Sequence, residues 1–276
     1  MNRLLRCGAL AVALLSVTGL KVFAQKDDSR HSLKCGDNWS NERLVSRCLI
    51  KEQTVAVTGG TITVDGRKNG GISVKGWDKN EILVRARIQT AAPTQDEADN
   101  LAKQINIDTA GAKIHATGPE NRKDYYWQVS FEVFVPRQSD LALEANNGGI
   151  VIADVQGTVN FNGVNGGVVL KRVGGNVHGA TTNGGLVVEL SGDRWNGESL
   201  DVETTNGGIV MSVPENYSAH LETRTVNGSV DIDFPVTVQG RITKELTVDL
   251  GSGGATVRAV TTNGGVKIKR LGPVSF

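Results

Sequence analysis

The sequence predicts an all-β solenoid built from coils of about 18 residues, with one short α-helix. Three observations lead to this fold class. The tripeptide Asn-Gly-Gly recurs along the chain, alternating apolar residues follow each copy, and only 5% of the 276 residues are aromatic, which suits a narrow aliphatic interior. The chain has 34 glycines without a Gly-X-Y period, which excludes collagen. Its 39% hydrophobic residues and formal net charge of +1 indicate a folded protein and give no sign of nucleic-acid binding.

Residues 1–24 have the three parts of a secretory signal peptide. Arg3 and Arg6 precede an apolar run over residues 8–20, and small residues lead to Ala24. A membrane anchor is the alternative, but this run is shorter than the roughly 20 residues that span a bilayer. We therefore expect residues 1–24 to be removed, which changes the formal charge to −2. The mature chain is then expected to be exported to the periplasm, the exterior or the cell surface, with no membrane span.

Two cysteines, Cys35 and Cys48, remain after the signal segment is removed. An even pair in an oxidising compartment predicts a disulfide, which would tie down an N-terminal arm over residues 25–50. In the chain-entropy model such a loop closure stabilises the fold by roughly 3 kcal/mol. Cys35 and Cys48 are not part of a set of four closely spaced Cys and His ligands, so we predict no metal site and no cofactor.

A repeated corner organises residues 51–273, the predicted solenoid. Successive steps from the second copy onward are 18, 18, 23, 21 and 36 in residue number. We expect loop insertions near 193–198 and 214–218 to lengthen the middle steps, and a degenerate coil at Gly251-Ser252-Gly253-Gly254 to divide the last one. The asparagines of the six Asn-Gly-Gly copies and of one Asn-Gly-Ser copy are Asn69, Asn147, Asn165, Asn183, Asn206, Asn227 and Asn263.

The residues after each corner alternate as those of a half-buried strand do. The third and fifth positions after the asparagine are apolar in every copy, as in Leu186 and Val188, while the position between them is free to be polar. A second short strand follows in each coil, for example over residues 158–161. Two strands and two corners in about 18 residues make one solenoid turn.

The tripeptide also suggests why the chain turns there. Sharp corners favour positive φ, which glycine adopts freely and asparagine tolerates. Stacked coils would place the asparagine amides about 4.8 Å apart, within reach of hydrogen bonds along the stack. An isolated Asn-Gly pair more often forms a hairpin, so antiparallel pairing in some coils stays an alternative.

The chain before residue 140 departs from the repeat. Thr94 to Glu97 have the form of a capping box, and the apolar spacing that follows predicts an amphipathic helix near residues 95–105. Alternating apolar residues from Trp127 to Val135 then predict a long strand that ends at Pro136.

Few residues suggest chemistry. Asp231 and Asp233, or Asp201 and Glu203, could serve as an acid pair of a carbohydrate-active enzyme, but alternating acids are also what the solvated face of a strand presents. The four histidines are scattered, and no nucleophile or phosphate loop is present. Trp127, in the run Tyr125-Tyr126-Trp127, could stack on a sugar or belong to the core. We therefore predict no catalytic residue and no enzyme.

One outward stripe is apolar. Val151, Val169, Val187 and Val210 lie between the two buried residues of four successive coils. Either the helix or the strand that begins near Trp127 covers this stripe, or it is a surface for a partner or for self-association. Thr-Thr also precedes three corners, where adjacent threonines should point to opposite sides of the strand.

Several short motifs together resemble one family. The sequence contains Val133-Phe134-Val135-Pro136, then Leu141-Ala142-Leu143-Glu144, and then repeated Thr-Thr-Asn-Gly-Gly followed by two alternating aliphatics. This succession of motifs is similar to that of the bacterial putative adhesin family. This is a domain of unknown function, also grouped with the toast-rack β-solenoids of envelope-stress systems. The resemblance covers roughly residues 55–270 and implies a non-catalytic protein of the envelope or exterior, with no family catalytic residues to transfer.

Together these observations predict a binding, adhesion or structural module of the cell envelope. The partners that we consider are an envelope protein, a surface glycan or a second copy of the chain, and we expect neither nucleic acid nor a cofactor. An envelope-stress sensing or regulatory role and a carbohydrate-active enzyme are the alternatives.

Overall fold

The computed structural model describes residues 33–36, 40–67, 69–236 and 244–272. The predicted signal peptide, residues 1–24, lies outside the described residues. Within them, strands and one α-helix account for the regular structure, together with a short 3-10 helix at Ala110–Ala112. This confirms the predicted all-β solenoid with one short helix. Among the same residues, no helix is long and apolar enough to cross a membrane.

The helix lies in the N-terminal part of the described chain, and the regular repeats follow it. The N-terminal part contains β1 (Val45–Ala56), β2 (Ile62–Asp65), β3 (Ile72–Trp77), β4 (Glu81–Ala92), α1 (Gln95–Lys103), β5 (Asn106–Asp108), β6 (Lys113–Thr117) and β7 (Tyr126–Pro136). The repeats contain β8 (Leu141–Asn147), β9 (Ile150–Ala153), β10 (Gln156–Asn165), β11 (Val168–Lys171), β12 (Gly174–Asn183), β13 (Leu186–Glu189), β14 (Ser199–Asn206), β15 (Ile209–Val213), β16 (Ala219–Asn227), β17 (Val230–Ile232), β18 (Glu245–Leu250), β19 (Thr256–Asn263) and β20 (Val266–Arg270).

In the described part of the chain these strands form two ten-stranded sheets. The first sheet has the order β1-β4-β7-β3-β9-β11-β13-β15-β20-β17, and the second has the order β18-β16-β19-β14-β12-β10-β8-β2-β6-β5. The chain alternates between the two sheets, and equivalent strands of neighbouring coils pair in parallel. Register partners such as Val151 and Val169, or Asn160 and His178, lie one predicted coil length apart in the sequence.

The core lies between the two sheets and is mainly aliphatic. Both apolar positions after each corner are buried, except that Ile232 is only partly buried. They meet buried residues of the second sheet such as Val159, Val177 and Leu200 in one cluster. Because Val, Ile and Leu have similar widths, successive coils can stack without gaps.

The reason for the glycines differs from the predicted one. In the described tripeptides only Gly264 has a positive φ, which at 158° is close to extended backbone, and none of the asparagines has a positive φ. Instead, a Cβ on Gly184 would stand 2.1 Å from the carbonyl oxygen of Gly166 in the preceding coil. The prediction of a positive-φ corner was therefore wrong: glycine is needed there because neighbouring backbones pass too close for a side chain.

The last coil does not follow the sequence order of the stack. Strand β19 lies between β14 and β16, and β20 lies between β15 and β17. Strand β18 pairs antiparallel with β16, and the turn at 251–254 joins it to β19. The predicted degenerate coil at Gly251-Ser252-Gly253-Gly254 is therefore wrong, because this glycine-rich segment reverses the chain instead of continuing the stack.

The N-terminal part adds antiparallel strands to one end of the first sheet. Strand β4 pairs antiparallel with β1 and with β7, and α1 packs on β4 and β1 through Ala98, Leu101 and Ala102. The predicted capping box is confirmed: Thr94 Oγ1 accepts from the Glu97 backbone N–H, and Glu97 Oε2 accepts from the Thr94 backbone N–H.

The Cys35–Cys48 disulfide is present and joins the N-terminal arm to β1. Leu33 donates a backbone hydrogen bond to Glu132 Oε2, and Glu132 also forms an ion pair with Arg85. Glu132 is only 5% exposed, so the arm lies against a charged pair on β4 and β7. Strand β1 runs without interruption through residue 50, where we predicted the boundary between arm and solenoid.

Candidate binding surfaces

One corner of the solenoid carries a continuous row of asparagine amides. In each of its six links, Nδ2 of one asparagine donates to Oδ1 of the asparagine in the adjacent coil, at 2.7–3.0 Å. This amide ladder connects Asn69, Asn147, Asn165, Asn183, Asn206, Asn263 and Asn227 in that spatial order. From Asn147 onward, a strand of the second sheet ends at each of these asparagines, and the glycines lead directly into a strand of the first sheet.

The Thr-Thr pairs support the same corner from inside. The first threonine of each pair is buried and the second is exposed, as their alternation indicated. Thr204 Oγ1 donates to the Gly184 carbonyl at 2.7 Å, and Thr261 and Thr181 repeat this contact with the Gly207 and Gly166 carbonyls. The buried threonine hydroxyls therefore donate hydrogen bonds to the corner carbonyls, where the backbone pairing of the parallel strands ends.

The opposite corner carries alternating charges. Arg172 binds Asp154 through two nitrogens, at 2.7 and 2.9 Å, and also reaches Glu189 at 3.1 Å. In the preceding coils Arg137 binds Asp78 at 2.6 Å. Asp154 and Arg172 have φ of 59° and 50°, so two left-handed positions at this corner are occupied by residues other than glycine.

The candidate acid pairs are both engaged by other groups. Asp201 and Glu203 contact the same guanidinium, that of Arg258 on the neighbouring strand. Asp233 Oδ1 accepts the Arg270 backbone N–H at 3.0 Å, and Asp231 lies opposite Lys267 in the register. These contacts are those of a solvated strand face. In the described residues no cluster of three His, Cys, Asp or Glu could hold a metal ion.

His220 is the histidine with the most developed surroundings. Its Nδ1 lies 2.7 Å from Asp249 Oδ1, and its Nε2 lies 3.3 Å from Glu222 Oε1. The hydrogen bond to Asp249 is the largest cause that raises the pKa of His220 above its ordinary value, and Glu222 adds to it. The contact joins β16 to β18 at the end of the second sheet, which is a structural role.

The predicted valine stripe forms a row on the outward face of the first sheet. Val151, Val169, Val187 and Val210 are register partners on β9, β11, β13 and β15. We call this row the valine ridge. Val187 is 40% exposed, and the other three are partly buried.

Neither element suggested as a cover lies over the ridge. Helix α1 packs on β4 and β1, several strands away, and β7 is itself a strand of the same sheet. Polar side chains border the ridge: Ser73 and Lys267 continue the row at its two ends, and Lys171 and Glu189 stand beside it. The ridge is thus an apolar strip with a mixed-charge rim.

A second surface feature was not predicted as a site. A cavity of about 490 Å³ is lined by residues 116–121, residues 127–129, Phe131 and the corner residues Gly66, Arg67 and Asn69. Trp127, which the sequence left between core and sugar-binding roles, is partly buried and lines it. The signal in the sequence was indirect: the longer segment 118–125 connects two strands where the other coils have a short Asn-Gly corner.

The two sheets, the parallel pairing of equivalent strands in successive coils and the side-chain rows at both corners define this molecule as a β-solenoid repeat protein. Residues 46–269 match the Toastrack DUF4097 family. Because the match covers most of the chain, the protein belongs to the Toastrack DUF4097 family, which confirms the resemblance to a family of unknown function.

Similar solved structures include proteins named as adhesion and lipid-binding proteins. A putative cell adhesion protein from Clostridium sporogenes is 10% identical, with 82% of this chain and 100% of that chain covered and a TM-score of 0.43. A putative adhesin from Bacteroides fragilis is 10% identical, with 82% of this chain and 97% of that chain covered and a TM-score of 0.32. A putative lipid binding protein from Parabacteroides distasonis is 9% identical, with 82% of this chain and 97% of that chain covered and a TM-score of 0.37. No curated protein matches the chain.

Proposed function

We propose that the chain is an exported, non-catalytic binding module of the cell envelope, in the periplasm or on the outer surface, and that the valine ridge binds a protein partner. The observation that carries the proposal is the ridge itself: four register-aligned valines stand on an outward sheet face. Export is supported by the Cys35–Cys48 disulfide, since structural disulfides persist in oxidising compartments.

The surroundings of the ridge favour a protein over a polyanion or a membrane. Protein interfaces combine an apolar centre with a polar rim. Here Lys171 and Lys267 are offset by Glu189 in the rim, so no field of one sign surrounds the valines. A catalytic acid pair would need carboxylates that can reach a substrate, whereas Asp201 and Glu203 both contact the Arg258 guanidinium. This contact supports a structural role for the outward face of the second sheet.

The double substitution Val169→Ser and Val187→Ser tests the ridge. Each replacement removes an apolar side chain from the centre of the interface, so we expect the apparent affinity for the envelope to fall by roughly tenfold, about 1.4 kcal/mol. The measurement is sedimentation of the purified mature chain with the envelope fraction of the cells that produce it, as a function of concentration.

Exposed valines on the second sheet provide a matched control. Val164 and Val226 are 37% and 46% exposed, so Val164→Ser and Val226→Ser make the same chemical change away from the ridge. We expect this pair to keep the affinity of the original chain. Equal losses in both double variants, or an unchanged affinity of the ridge variant, would contradict the proposal.

A further inference from the structure

The amide ladder ends at the cavity beside Trp127. Asn69 Oδ1 accepts from Asn147 Nδ2 at 3.0 Å, while among the described residues Asn69 Nδ2 has no hydrogen-bond acceptor. All six links of the ladder run in one direction, so every donor points toward the Asn69 end. Chains of hydrogen bonds polarise one another, which makes a terminal N–H a stronger donor than an isolated amide.

The cavity lies where the next coil would place its own corner. The coil formed by β6 and β7 stacks on the coil formed by β2 and β3. Residues 118–125 join β6 to β7, whereas the corner that begins at Gly66 joins β2 to β3. The resulting space of about 490 Å³ is in the usual range for small-molecule sites. The end of the ladder, Asn69, lines it.

Trp127 is held in place as one wall. Its indole Nε1 donates to the Pro119 carbonyl at 2.6 Å, and Asn121 accepts from its backbone N–H at 3.0 Å. A Cβ on Gly118 would stand 3.1 Å from Trp127 Cζ2, so the ring packs closely on that glycine. A neighbouring depression of about 280 Å³ shares Trp127, Asn69, Asn121 and Gln128 and extends to the exposed Tyr126.

The loop that closes the cavity is anchored to the helix. The Tyr125 hydroxyl donates to Glu97 Oε1 at 2.5 Å, and this bond raises the pKa of Tyr125 and lowers the pKa of Glu97. Arg122 lies over the Tyr125 ring, 4.4 Å from its centroid, and exchanges two backbone hydrogen bonds with Tyr125. A site fixed in this way loses little ordering entropy when a ligand binds.

The lining chemistry suits a neutral, hydroxylated ligand with an apolar face. It combines an indole with the amides of Asn69 and Gln128. Among its described lining residues the charged ones, Arg67 and Glu120, have opposite signs, and Arg67 forms an ion pair with Asp65 at 3.3 Å, so these residues favour neither an anion nor a cation.

We propose that this cavity binds a saccharide unit of a glycan. The C–H face of the sugar ring packs on the Trp127 indole, and a ring hydroxyl accepts a hydrogen bond from the Asn69 side-chain N–H at the end of the ladder. Because the second depression shares Trp127, Asn69, Asn121 and Gln128 with the cavity, a linked second unit extends toward Tyr126. The proposal goes beyond the proposed function and does not rest on the valine ridge.

The test is titration of the purified mature chain with sugars, followed by NMR of the tryptophan indole N–H signals. The probes are glucose, galactose and N-acetylglucosamine, each beside a disaccharide made of it: cellobiose, a β-linked galactobiose and diacetylchitobiose. We expect at least one series to shift the Trp127 indole signal, with the disaccharide binding about tenfold more tightly than its monosaccharide. Absence of a shift with all six sugars overturns the proposal.

Three variants keep the result interpretable. Binding to the variants is followed by isothermal titration calorimetry, because Trp127→Phe has no Trp127 indole signal. Trp127→Phe retains an apolar face and is expected to weaken binding several-fold, and Asn69→Ala, which removes the terminal amide, is expected to weaken it about fivefold. Val164→Ser, on another sheet face, is the control and should bind as the original chain does. Unchanged binding in both Trp127→Phe and Asn69→Ala overturns the proposal. If the sugars do not bind, the test of the valine ridge by envelope sedimentation is unaffected, because that measurement uses other variants and another ligand.

Discussion

Glycine at the corners is required by contact between coils. For Gly148, Gly166, Gly184 and Gly207, the first glycines of four successive corners, an added Cβ would stand 2.1–2.3 Å from a carbonyl oxygen of the adjacent coil. The second glycine meets a looser environment: at Gly185 the nearest atom, the Gly208 carbonyl oxygen, is 3.1 Å away. The two glycines of one corner therefore differ in how much a methyl group costs.

Replacing each glycine of one corner with alanine separates these effects. Gly184→Ala forces two backbones apart, and we expect it to lower the free energy of unfolding by about 3 kcal/mol or more. Gly185→Ala needs a shift of only a few tenths of an ångström and should cost less than about 1 kcal/mol. Urea unfolding followed by circular dichroism measures both. Equal costs would show that conformation, and not close approach, selects glycine.

His220 gives the protein a defined pH response at one end. Because its folded-state pKa is raised mainly by Asp249, the stability that it contributes is fully present below the unfolded value of about 6.5. That contribution is lost as the pH rises through the raised, folded value. We therefore expect a small loss of stability over this window, and an NMR titration should place the His220 midpoint above that of a model histidine.

Asp249→Asn is the control for this titration. It keeps the shape of the contact and removes its charge, so the His220 midpoint should fall toward the ordinary value while β16 and β18 remain paired. A midpoint that stays raised would assign the shift to Glu222 instead.

At the scale of elements, the helix cap also supports the proposed saccharide site. Glu97 accepts the Thr94 backbone N–H through Oε2 and the Tyr125 hydroxyl through Oε1. One carboxylate thus closes the first helical turn and anchors the loop over residues 118–125. The capping box was visible in the sequence, but the contact with Tyr125 joins residues 28 positions apart and was not.

Thr94→Ala removes the cap that holds this turn. Loss of an N-cap side chain typically costs about 1 kcal/mol, and we expect that decrease in the free energy of unfolding. Hydrogen exchange should also increase at the first turn of α1. Gln95→Ala, at the adjacent exposed position, is the control and should change stability by less than about 0.5 kcal/mol. If the two substitutions lowered the free energy of unfolding equally, the loss could not be attributed to the N-cap hydrogen bond of Thr94.

At the scale of the whole molecule, the coils depend on one another. Two buried aliphatics contribute about 1.5 to 3 kcal/mol each, which is less than the cost of ordering about 18 residues. A coil is therefore stable only between neighbours. The insertion of β19 and β20 strengthens this dependence, because in the described sheets these two strands separate β16 and β17 from β14 and β15.

Val188→Asp tests this cooperativity at the centre of the stack. Val188 is fully buried on β13, so an aspartate there places a charge in the aliphatic core, and we expect the whole body to unfold in one transition at greatly reduced denaturant. Val187→Asp changes the adjacent, exposed position of the same strand and should leave the fold intact. Hydrogen exchange that increases only near residues 186–189 in Val188→Asp would contradict a cooperative body.

Periodic features near one another in sequence were predictable, and contacts across the stack were not. The alternation after each corner correctly identified the buried faces, and the spacing of Asn147, Asn165 and Asn183 predicted the coil length. The antiparallel strand β4 was not identified, because its partners β1 and β7 lie outside any repeat. The cavity beside Trp127 was missed for a similar reason, since it forms between Gly66, Arg67 and Asn69 on one side and residues 116–121, 127–129 and Phe131 on the other.

By itself, the sequence determined the coil, its two faces, the disulfide and the capped helix, because each depends on local spacing or on a single pair of side chains. Only the tertiary structure decided the order of the last coils, the close approach that selects glycine and the place where the amide ladder ends. These depend on which distant segments lie side by side, and parallel pairing brings together residues that no local pattern connects.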